Sequence, residues 1–473
     1  MLARIVNEDP EPGAPLNEAF AAIRTELEVS TEYPADALAE AQQAASTVHL
    51  PDRDETAVPF FTIDPPGSTD LDQAMFLERD GDGYRVRYAI ADVPTFVAPG
   101  GALDRVTRER TQTLYFPDQR VPLHPPVISE DKGSLLPGQD RGAFVWDIRL
   151  DAAGAQTSAQ VYRARVRSVA RLDYEGVQAS IEDGSAPEGL MLLKTIGELR
   201  IALERQRGGA DLPIPAQEVQ RDDNGDYHLR LRPPVASEDW NSQISLLTGM
   251  AAAAMMLEAK VGILRTMPEA PQFAVDRFRG QAKALGVTWP SGLAYGEFLP
   301  TLDRNDPHHL ALMYAAGSLF RGAGYTVFDC STPDQTMQAA VAAPYAHVTA
   351  PLRRLVDRFG LVICESICAG TPVPDWARES LPDLPKLMAA GDQLAHKVDR
   401  MCTDAVEVAV MSHHVADTFA ATVVARTKTG VEVQLTDRPV IATLPGDAAA
   451  GDSVQVKVVS ADLASRTLEF ALV

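Results

Sequence analysis

Cysteine is scarce in this chain of 473 residues, which contains only four. Thiols so few and so scattered exclude a disulfide-stapled secreted scaffold. Cys364 and Cys368 are four residues apart in an apolar helical segment and could share a zinc ion, but no third or fourth ligand has the usual spacing. We therefore expect these thiols to be free and buried.

Long hydrophobic runs are also missing. The longest apolar-rich helical segment, Ile244 to Leu257, is shorter than the ~20 residues with which a helix crosses a bilayer. Met1 to Gly13 contains acids and prolines where a signal peptide would have a basic start and an apolar run. These absences predict a cytoplasmic protein without a membrane segment, and we expect a monomer.

Basic residues are outnumbered, because 43 lysines and arginines face 65 aspartates and glutamates and give a net charge of −22. Proteins that bind nucleic acids non-specifically usually present a basic surface, so the overall charge argues against that class. It does not exclude a basic channel within an acidic exterior. Any anionic ligand must therefore bind at a local site.

The helical and strand patterns divide the chain into three regions. Residues 1–50 are rich in alanine and glutamate and predict two helices, at 16–27 and 33–45. Residues 51–415 mix alternating strand patterns with long helical periods, which predicts an α+β (mixed α/β) domain. Residues 416–473 contain five short strand-like runs separated by turns, which predicts an all-β barrel of the OB-fold type or, alternatively, an SH3-like barrel.

Local signals in the middle region are specific enough to place single elements. Asp80 to Gly83 precedes a strand-like run and predicts a turn, and Asp151 to Gly154 separates two strand-like runs and predicts a hairpin turn. Trp240 to Lys260 predicts a long buried helix, and Leu352 to Ala369 predicts another.

Three aspartates occur within nine residues, beside apolar positions and a Pro-Pro-Gly bend. Asp70 and Asp72 are two apart, so on an extended backbone they point the same way while Leu71 faces the core. The bend could bring Asp64 back towards them. Crowded carboxylates suit a hard cation such as Mg²⁺ or Mn²⁺, and one or two such ions could promote hydrolysis of a phosphodiester. The alternative is a calcium-binding or capping loop.

Two further stretches could contact an anionic ligand. Arg353 and Arg354 are predicted to lie in the first turns of a helix, where a guanidinium and the helix N-terminus could hold a phosphate, although a solvated basic face would look the same. Tyr115 and Phe116 form an aromatic pair that could stack on a base. Core packing is the better prediction for Phe116, and both readings stay open for Tyr115.

Together these stretches resemble the ribonuclease II (RNB exoribonuclease) family, in order from about Phe60 to Val415. Thr62 to Asp72 looks like the family's acidic signature, and Tyr88 to Val93 looks like its "HIADV" strand without the histidine. The remaining similarities are to its "YLP…PM", "SLxPGxDR" and "TSPIRK" motifs, at Leu114 to Leu123, Ser134 to Arg141 and Thr349 to Arg354.

The resemblance implies an RNB-type catalytic domain in residues 51–415 and an RNA-binding OB fold of the ribosomal S-one type in residues 416–473. It implies a processive, Mg²⁺-dependent 3′→5′ exoribonuclease that degrades single-stranded RNA to nucleoside 5′-monophosphates. By the same resemblance Asp64 and Asp70 would hold metal, and Asp72 would be the aspartate most critical for cleavage. Tyr115 would stack on the 3′-terminal base, while Arg353, with Arg354 beside it, would contact phosphate.

The chain departs from the family in three places. Gln73 stands where the acidic signature usually has a fourth aspartate, so it can offer the metal an oxygen but no charge. The family's paired glutamates in a central helix are replaced near Gln243, which we place among the RNA-binding residues. Residues 1–50 are too few for two cold-shock barrels and predict a small helical region in their place. A helix-turn-helix is one interpretation of this region.

Two other functions are consistent with the same residues. Gln73 would suit a catalytically impaired RNA-binding protein of this fold. The aspartates alone would also suit a metal phosphoesterase acting on DNA or small nucleotides.

Overall fold

The computed structural model describes residues 13–210, 212, 216–222, 224–232, 234–303, 306–436, 438 and 440–473. The stretch Met1 to Gly13, apart from its last residue, lies outside this part. The α-helices are α1 (Gly13–Glu26), α2 (Ala35–Thr47), α3 (Ala102–Arg110), α4 (Tyr174–Glu182), α5 (Glu188–Arg207), α6 (Ala236–Ala259), α7 (Gln272–Ala284), α8 (Tyr295–Phe298), α9 (Pro307–Ala316), α10 (Leu355–Ala369), α11 (Asp375–Ser380) and α12 (Leu384–Ser412).

The strands are β1 (Phe60–Ile63), β2 (Gln73–Asp80), β3 (Gly83–Ala91), β4 (Leu114–Tyr115), β5 (Arg120–Val121), β6 (Asp140–Leu150), β7 (Gln156–Leu172), β8 (Ala216–Arg221), β9 (Tyr227–Arg232), β10 (Val261–Thr266), β11 (Gly324–Asp329), β12 (Met337–Gln338), β13 (Ala343–Pro344), β14 (Thr418–Arg426), β15 (Val431–Leu435), β16 (Ile441–Leu444), β17 (Ser453–Asp462) and β18 (Thr467–Leu472). Both predicted N-terminal helices are confirmed by α1 and α2.

A closed barrel forms the centre of the middle region, with the strand order β1-β2-β3-β6-β7. Neighbouring strands are antiparallel except where β1 pairs with β7 and closes the barrel. The buried aromatic residues Tyr88, Phe144 and Trp146 belong to the largest core cluster, together with residues of α5, α6 and α10. The predicted mixed α and β class is therefore confirmed.

Both predicted turns of this barrel are confirmed, and each joins two antiparallel neighbours as a hairpin. β2 ends at Asp80 and β3 begins at Gly83, with Gly81 at φ +59°. Between β6 and β7, Asp151 Oδ1 accepts hydrogen bonds from two following amides, and Gly154 has φ +80°. A positive φ costs glycine little, which explains why this residue type is found at both turns.

The C-terminal region is a five-stranded antiparallel sheet with the order β16-β15-β14-β17-β18. Its five strands confirm the all-β prediction for this region. Its apolar side chains share a core cluster with α1 and α12. The sheet is thus packed against helices of the rest of the chain.

Two predictions about α10 are wrong. This helix begins at Leu355 and not at Leu352, because the preceding backbone pairs with another segment: Thr113 donates to the Arg353 carbonyl and Leu355 donates to the Thr111 carbonyl. The paired arginines therefore precede the helix. Cys364 is buried as expected, but Cys368 is exposed near the end of the helix, and both thiols are free.

None of the helices in the described part of the chain combines the length and the apolarity that a membrane crossing requires.

Candidate active site

The three aspartates lie at the ends of β1 and β2, on the connection between these strands. Asp64 follows β1 directly, and Asp70 and Asp72 come just before β2. Gly67 turns the chain between them at φ +82°. Leu71 is fully buried, and its amide donates to Ser134 Oγ at 2.9 Å. The connection is therefore fixed from the core side.

All three aspartate side chains face one cavity of ≈ 620 Å³. Three other residues that the sequence analysis predicts for the site, Gln73, Tyr115 and Arg353, line the same cavity. Its wall consists of Asp64, Pro65, Pro66, Gly67, Ser68, Asp70, Asp72, Gln73, Tyr115, Arg120, Tyr174 and Arg353. The fold thus brings the acidic signature, the aromatic pair's tyrosine and one of the two arginines together.

Asp72 is the most deeply placed of the three and is only 3% exposed. Its Oδ1 accepts a hydrogen bond from the Leu352 amide at 2.7 Å, and its Oδ2 lies 3.6 Å from Arg353 Nε. Burial raises the pKa of Asp72 well above its usual range, while the nearby Arg353 and the Leu352 amide act in the opposite direction. Asp72 therefore binds a proton or a cation readily.

Asp64 carries a carboxylate oxygen that lacks a partner. Burial raises the pKa of Asp64 to about 6, and the neighbouring charge of Asp70 adds to the shift. Its Oδ2 is buried, and the described residues provide no hydrogen bond to it. An oxygen in this state is a suitable ligand for a cation that enters the cavity.

Asp70 is paired with Arg120, a residue that the sequence reasoning missed. The Arg120 guanidinium contacts Asp70 Oδ1 and also donates to Thr69 Oγ1 at 2.8 Å and to Glu130 Oε1 at 3.2 Å. Asp70 and Arg120 are 50 residues apart. A single sequence gives no signal for this contact beyond the position of Arg120 in a short hairpin after Tyr115.

Tyr115 and Arg120 are cross-strand partners in the β4-β5 hairpin. Tyr115 is 51% exposed and lines the cavity, whereas Phe116 is buried in a core cluster. The core prediction for Phe116 is confirmed. The exposed ring of Tyr115 leaves a face that a base can cover.

Arg353 and Arg354 differ sharply in their surroundings. The Arg353 side chain is 46% exposed, and its Nε lies 3.6 Å from Asp72 Oδ2. Arg354 makes a bidentate ion pair with the fully buried Asp357, with both nitrogen-oxygen distances at 2.8 Å. Asp357 also accepts the Ala350 amide at 2.7 Å. Arg354 and Asp357 therefore brace the turn that carries Arg353, a role that their i, i+3 spacing could have indicated.

Gln73 and Gln243 connect the aspartate cavity to a second one. Gln73 donates from Nε2 to the Thr349 carbonyl at 2.6 Å, and its side chain lines both cavities. Gln243 is not in the aspartate cavity; it lines the second, of ≈ 770 Å³, and donates to Glu204 Oε2 at 2.5 Å. Tyr174 and Arg353 also line both cavities, so the two spaces adjoin.

The chemistry of the residues in this cavity fits a hard divalent cation. Among the described residues, however, no three acidic, histidine or cysteine side chains are already arranged as a set of metal ligands. The fit rests on the unpartnered Asp64 oxygen and on the carboxylates that share its cavity. Asp70 is turned towards Arg120 instead.

The chain belongs to the family described as "RNB domain", which it matches over residues 52–362. Residues 417–473 match the family described as "RNase II-type exonuclease C-terminal S1 domain". The resemblance stated from the motifs is therefore confirmed.

Named relatives agree with this membership. Ribonuclease R of Vibrio cholerae is 27% identical over 531 residues, which is 100% of this chain and 64% of the relative. The chain thus spans under two thirds of that relative's length. Among solved structures, Mycoplasma genitalium RNase R in complex with ribose methylated single-stranded RNA aligns with a TM-score of 0.85 at 19% identity, covering 97% of this chain and 78% of that one.

A further structural neighbour is yeast Ssd1, which is described as a pseudonuclease. It aligns with a TM-score of 0.69 at 16% identity, over 87% of this chain and 54% of that one. At these identities the two structures establish the fold alone.

Proposed function

We propose that this chain is a processive 3′→5′ exoribonuclease that hydrolyses single-stranded RNA to nucleoside 5′-monophosphates with Mg²⁺, or Mn²⁺, as its cofactor. The observation that carries the proposal is the shared cavity of Asp64, Asp70, Asp72, Tyr115 and Arg353. Family membership supports the same reaction class.

In the proposed reaction water attacks the phosphorus of the last internucleotide bond. A P–O bond to water forms, the P–O3′ bond breaks, and a proton passes to the leaving 3′-oxygen. Asp64, Asp70 and Asp72, with the amide oxygen of Gln73, would hold the metal. When bound, a divalent cation lowers the pKa of the attacking water and neutralises charge on the phosphate.

The remaining side chains bind and orient the substrate. Arg353 is exposed enough to contact the scissile phosphate while it stays near Asp72. Tyr115 would stack on the 3′-terminal base. Gln243 would contact RNA in the adjoining cavity, and Arg354 would act through the turn that it braces.

RNA would be preferred over DNA through contacts to the 2′-hydroxyl. We also propose that residues 416–473 bind RNA and that residues 51–415 carry the catalysis. The helix-turn-helix interpretation of residues 1–50, the monomeric state and the cytoplasmic location stay predictions.

The test is cleavage of 5′-labelled poly(A) by purified protein with Mg²⁺ or Mn²⁺. The wild type should shorten the RNA to a short end product. Asp72→Asn should lower the rate by about 10²- to 10⁴-fold and keep RNA binding, because it removes the buried charge and not the stacking or phosphate contacts. Asp80→Asn, at the far end of β2 and outside the cavity, is the matched control and should retain wild-type activity.

Gln73 specifically favours a second candidate, a catalytically impaired RNA-binding protein. Its amide nitrogen is held by Thr349, so only its uncharged oxygen remains for a metal. Gln73→Asp separates the two candidates. For an active enzyme this change should lower the Mg²⁺ concentration at half-maximal rate by roughly tenfold, because it adds a carboxylate ligand. A wild type that binds RNA without cleaving it, beside a Gln73→Asp variant that cleaves, would establish the impaired protein.

A further inference from the structure

The aspartate cavity is lined by a positively charged side chain of the protein, that of Arg120. The Arg120 guanidinium contacts the Asp70 carboxylate, which is 14% exposed, and the arginine side chain is 31% exposed. Asp70 is one of the carboxylates proposed to hold the metal. The guanidinium and a divalent cation therefore require the same carboxylate.

Arg120 is also held from its other side. Its Nη2 donates to Thr69 Oγ1 at 2.8 Å and to Glu130 Oε1 at 3.2 Å. Because these two partners lie outside the set of aspartates, the guanidinium keeps a charged and a polar partner when it leaves Asp70. Its release would therefore leave no unpaired buried charge.

We propose that Arg120 competes with the divalent cation for Asp70 and so weakens metal binding to this site until the guanidinium withdraws to Glu130 and Thr69. This inference rests on the proposed metal-dependent function. It adds that Arg120 regulates how tightly the aspartate site binds the metal.

The competition should be measurable without RNA or catalysis. Titration of the metal-free protein with Mn²⁺, followed by calorimetry or by the signal of free Mn²⁺ in electron paramagnetic resonance, gives the dissociation constant directly. Arg120→Met should tighten Mn²⁺ binding by about tenfold, since an opposite charge at this distance changes the affinity of a carboxylate for a cation by about one order of magnitude or more. Arg120→Lys keeps the charge and should stay closer to the wild type.

Arg171→Met is the matched control. Arg171 also lies near the site, where it donates to the Ser68 carbonyl at 3.0 Å and lowers the pKa of Asp64, but it makes no ion pair with Asp70. If contact with Asp70 is the cause, Arg171→Met should tighten Mn²⁺ binding by less than about threefold. An equal effect of the two methionine variants would overturn the proposal, because charge alone would then explain both.

An unchanged or weakened Mn²⁺ affinity in Arg120→Met would also overturn it, provided that thermal unfolding shows the variant to be folded. RNA degradation by the same preparations distinguishes the two proposals. If RNA is degraded while Arg120→Met binds Mn²⁺ like the wild type, only the competition fails. If no preparation binds Mn²⁺ or degrades RNA, the proposed function fails and the competition fails with it.

Discussion

At the scale of single residues, a buried histidine supports the backbone that holds Asp72. His124 Nδ1 lies 3.1 Å from the Leu352 carbonyl oxygen, and the amide of the same Leu352 donates to Asp72. Because a carbonyl only accepts, we assign the proton of the neutral ring to Nδ1. Burial lowers the pKa of His124 to about 4, so the ring is neutral at pH 7.

This histidine should make the fold sensitive to acid. Between about pH 6.5 and pH 4 the unfolded chain binds a proton at this residue and the folded chain does not, so the free energy of unfolding falls as the pH falls. His124→Gln lacks this linkage. The stability difference between wild type and variant in urea unfolding should therefore shrink by about 2 kcal/mol from pH 7 to pH 5. A difference that stays constant with pH would show that the ring is not buried in its neutral form.

At the scale of elements, the β4-β5 hairpin carries two residues that line the aspartate cavity, Tyr115 and Arg120. Each of its strands has two residues, and a hairpin of this size is not stable alone. Helix α1 holds it: Arg24 makes a bidentate ion pair with Asp118 in the hairpin turn, with both distances at 2.8 Å, and its guanidinium lies 5.0 Å from the centre of the Phe116 ring.

Loss of this ion pair should loosen the hairpin that carries Tyr115 and Arg120. Both partners have side chains only 12% exposed, so Arg24→Met should lower the free energy of unfolding by about 1–3 kcal/mol. Because Tyr115 is proposed to bind RNA, we expect a rise of roughly fivefold in KM for RNA, with a smaller change in kcat. Steady-state kinetics and urea unfolding of the same preparation measure the two effects.

Arg105→Met is the control for this prediction. Arg105 also joins the N-terminal region to the middle region of the chain, through Asp36, but the two side chains are 60% and 64% exposed. Exposed pairs contribute at most about 1 kcal/mol, so stability and KM should stay near the wild-type values. If Arg24→Met is as mild as Arg105→Met, α1 does not position the hairpin.

The elements that the sequence predicted well are those set by local patterns. Strand alternation and glycine turns predict β3, β6 and β7, and they predict the five C-terminal strands as well. The predicted start of α10 is wrong because the backbone from Arg353 to Leu355 pairs with Thr111 to Thr113, more than 200 residues away in sequence. Tertiary pairing overrides local helical propensity in such places.

The same distinction holds within the site. Asp64, Asp70 and Asp72 are close in sequence, so their common cavity follows from local geometry and one bend. Contacts between distant segments, such as Arg120 with Asp70 and Arg24 with Asp118, have no signature in a single sequence. The placement of Gln243 beside the aspartate cavity, and not within it, likewise depends on how α6 packs against the barrel.

At the scale of the whole molecule, an acidic chain concentrates arginines where an anionic substrate would bind. The net charge is −22, yet Arg120 and Arg353 line the aspartate cavity and Arg354 lines the adjoining one. Arg120 is positioned by the β4-β5 hairpin, and Arg353 and Arg354 lie on the segment that pairs with Thr111 to Thr113. The overall charge therefore does not argue against an RNA substrate, since binding depends on the local potential.

The proposed exoribonuclease activity is best tested by the degradation of matched 5′-labelled single-stranded RNA and DNA with Mg²⁺, by the wild type and by Asp72→Asn. The wild type should shorten RNA from the 3′ end to a short product and release nucleoside 5′-monophosphates. DNA should persist, and Asp72→Asn should bind RNA but shorten it far more slowly than the wild type does. Undiminished cleavage by Asp72→Asn, or equal degradation of RNA and DNA by the wild type, would contradict the proposal.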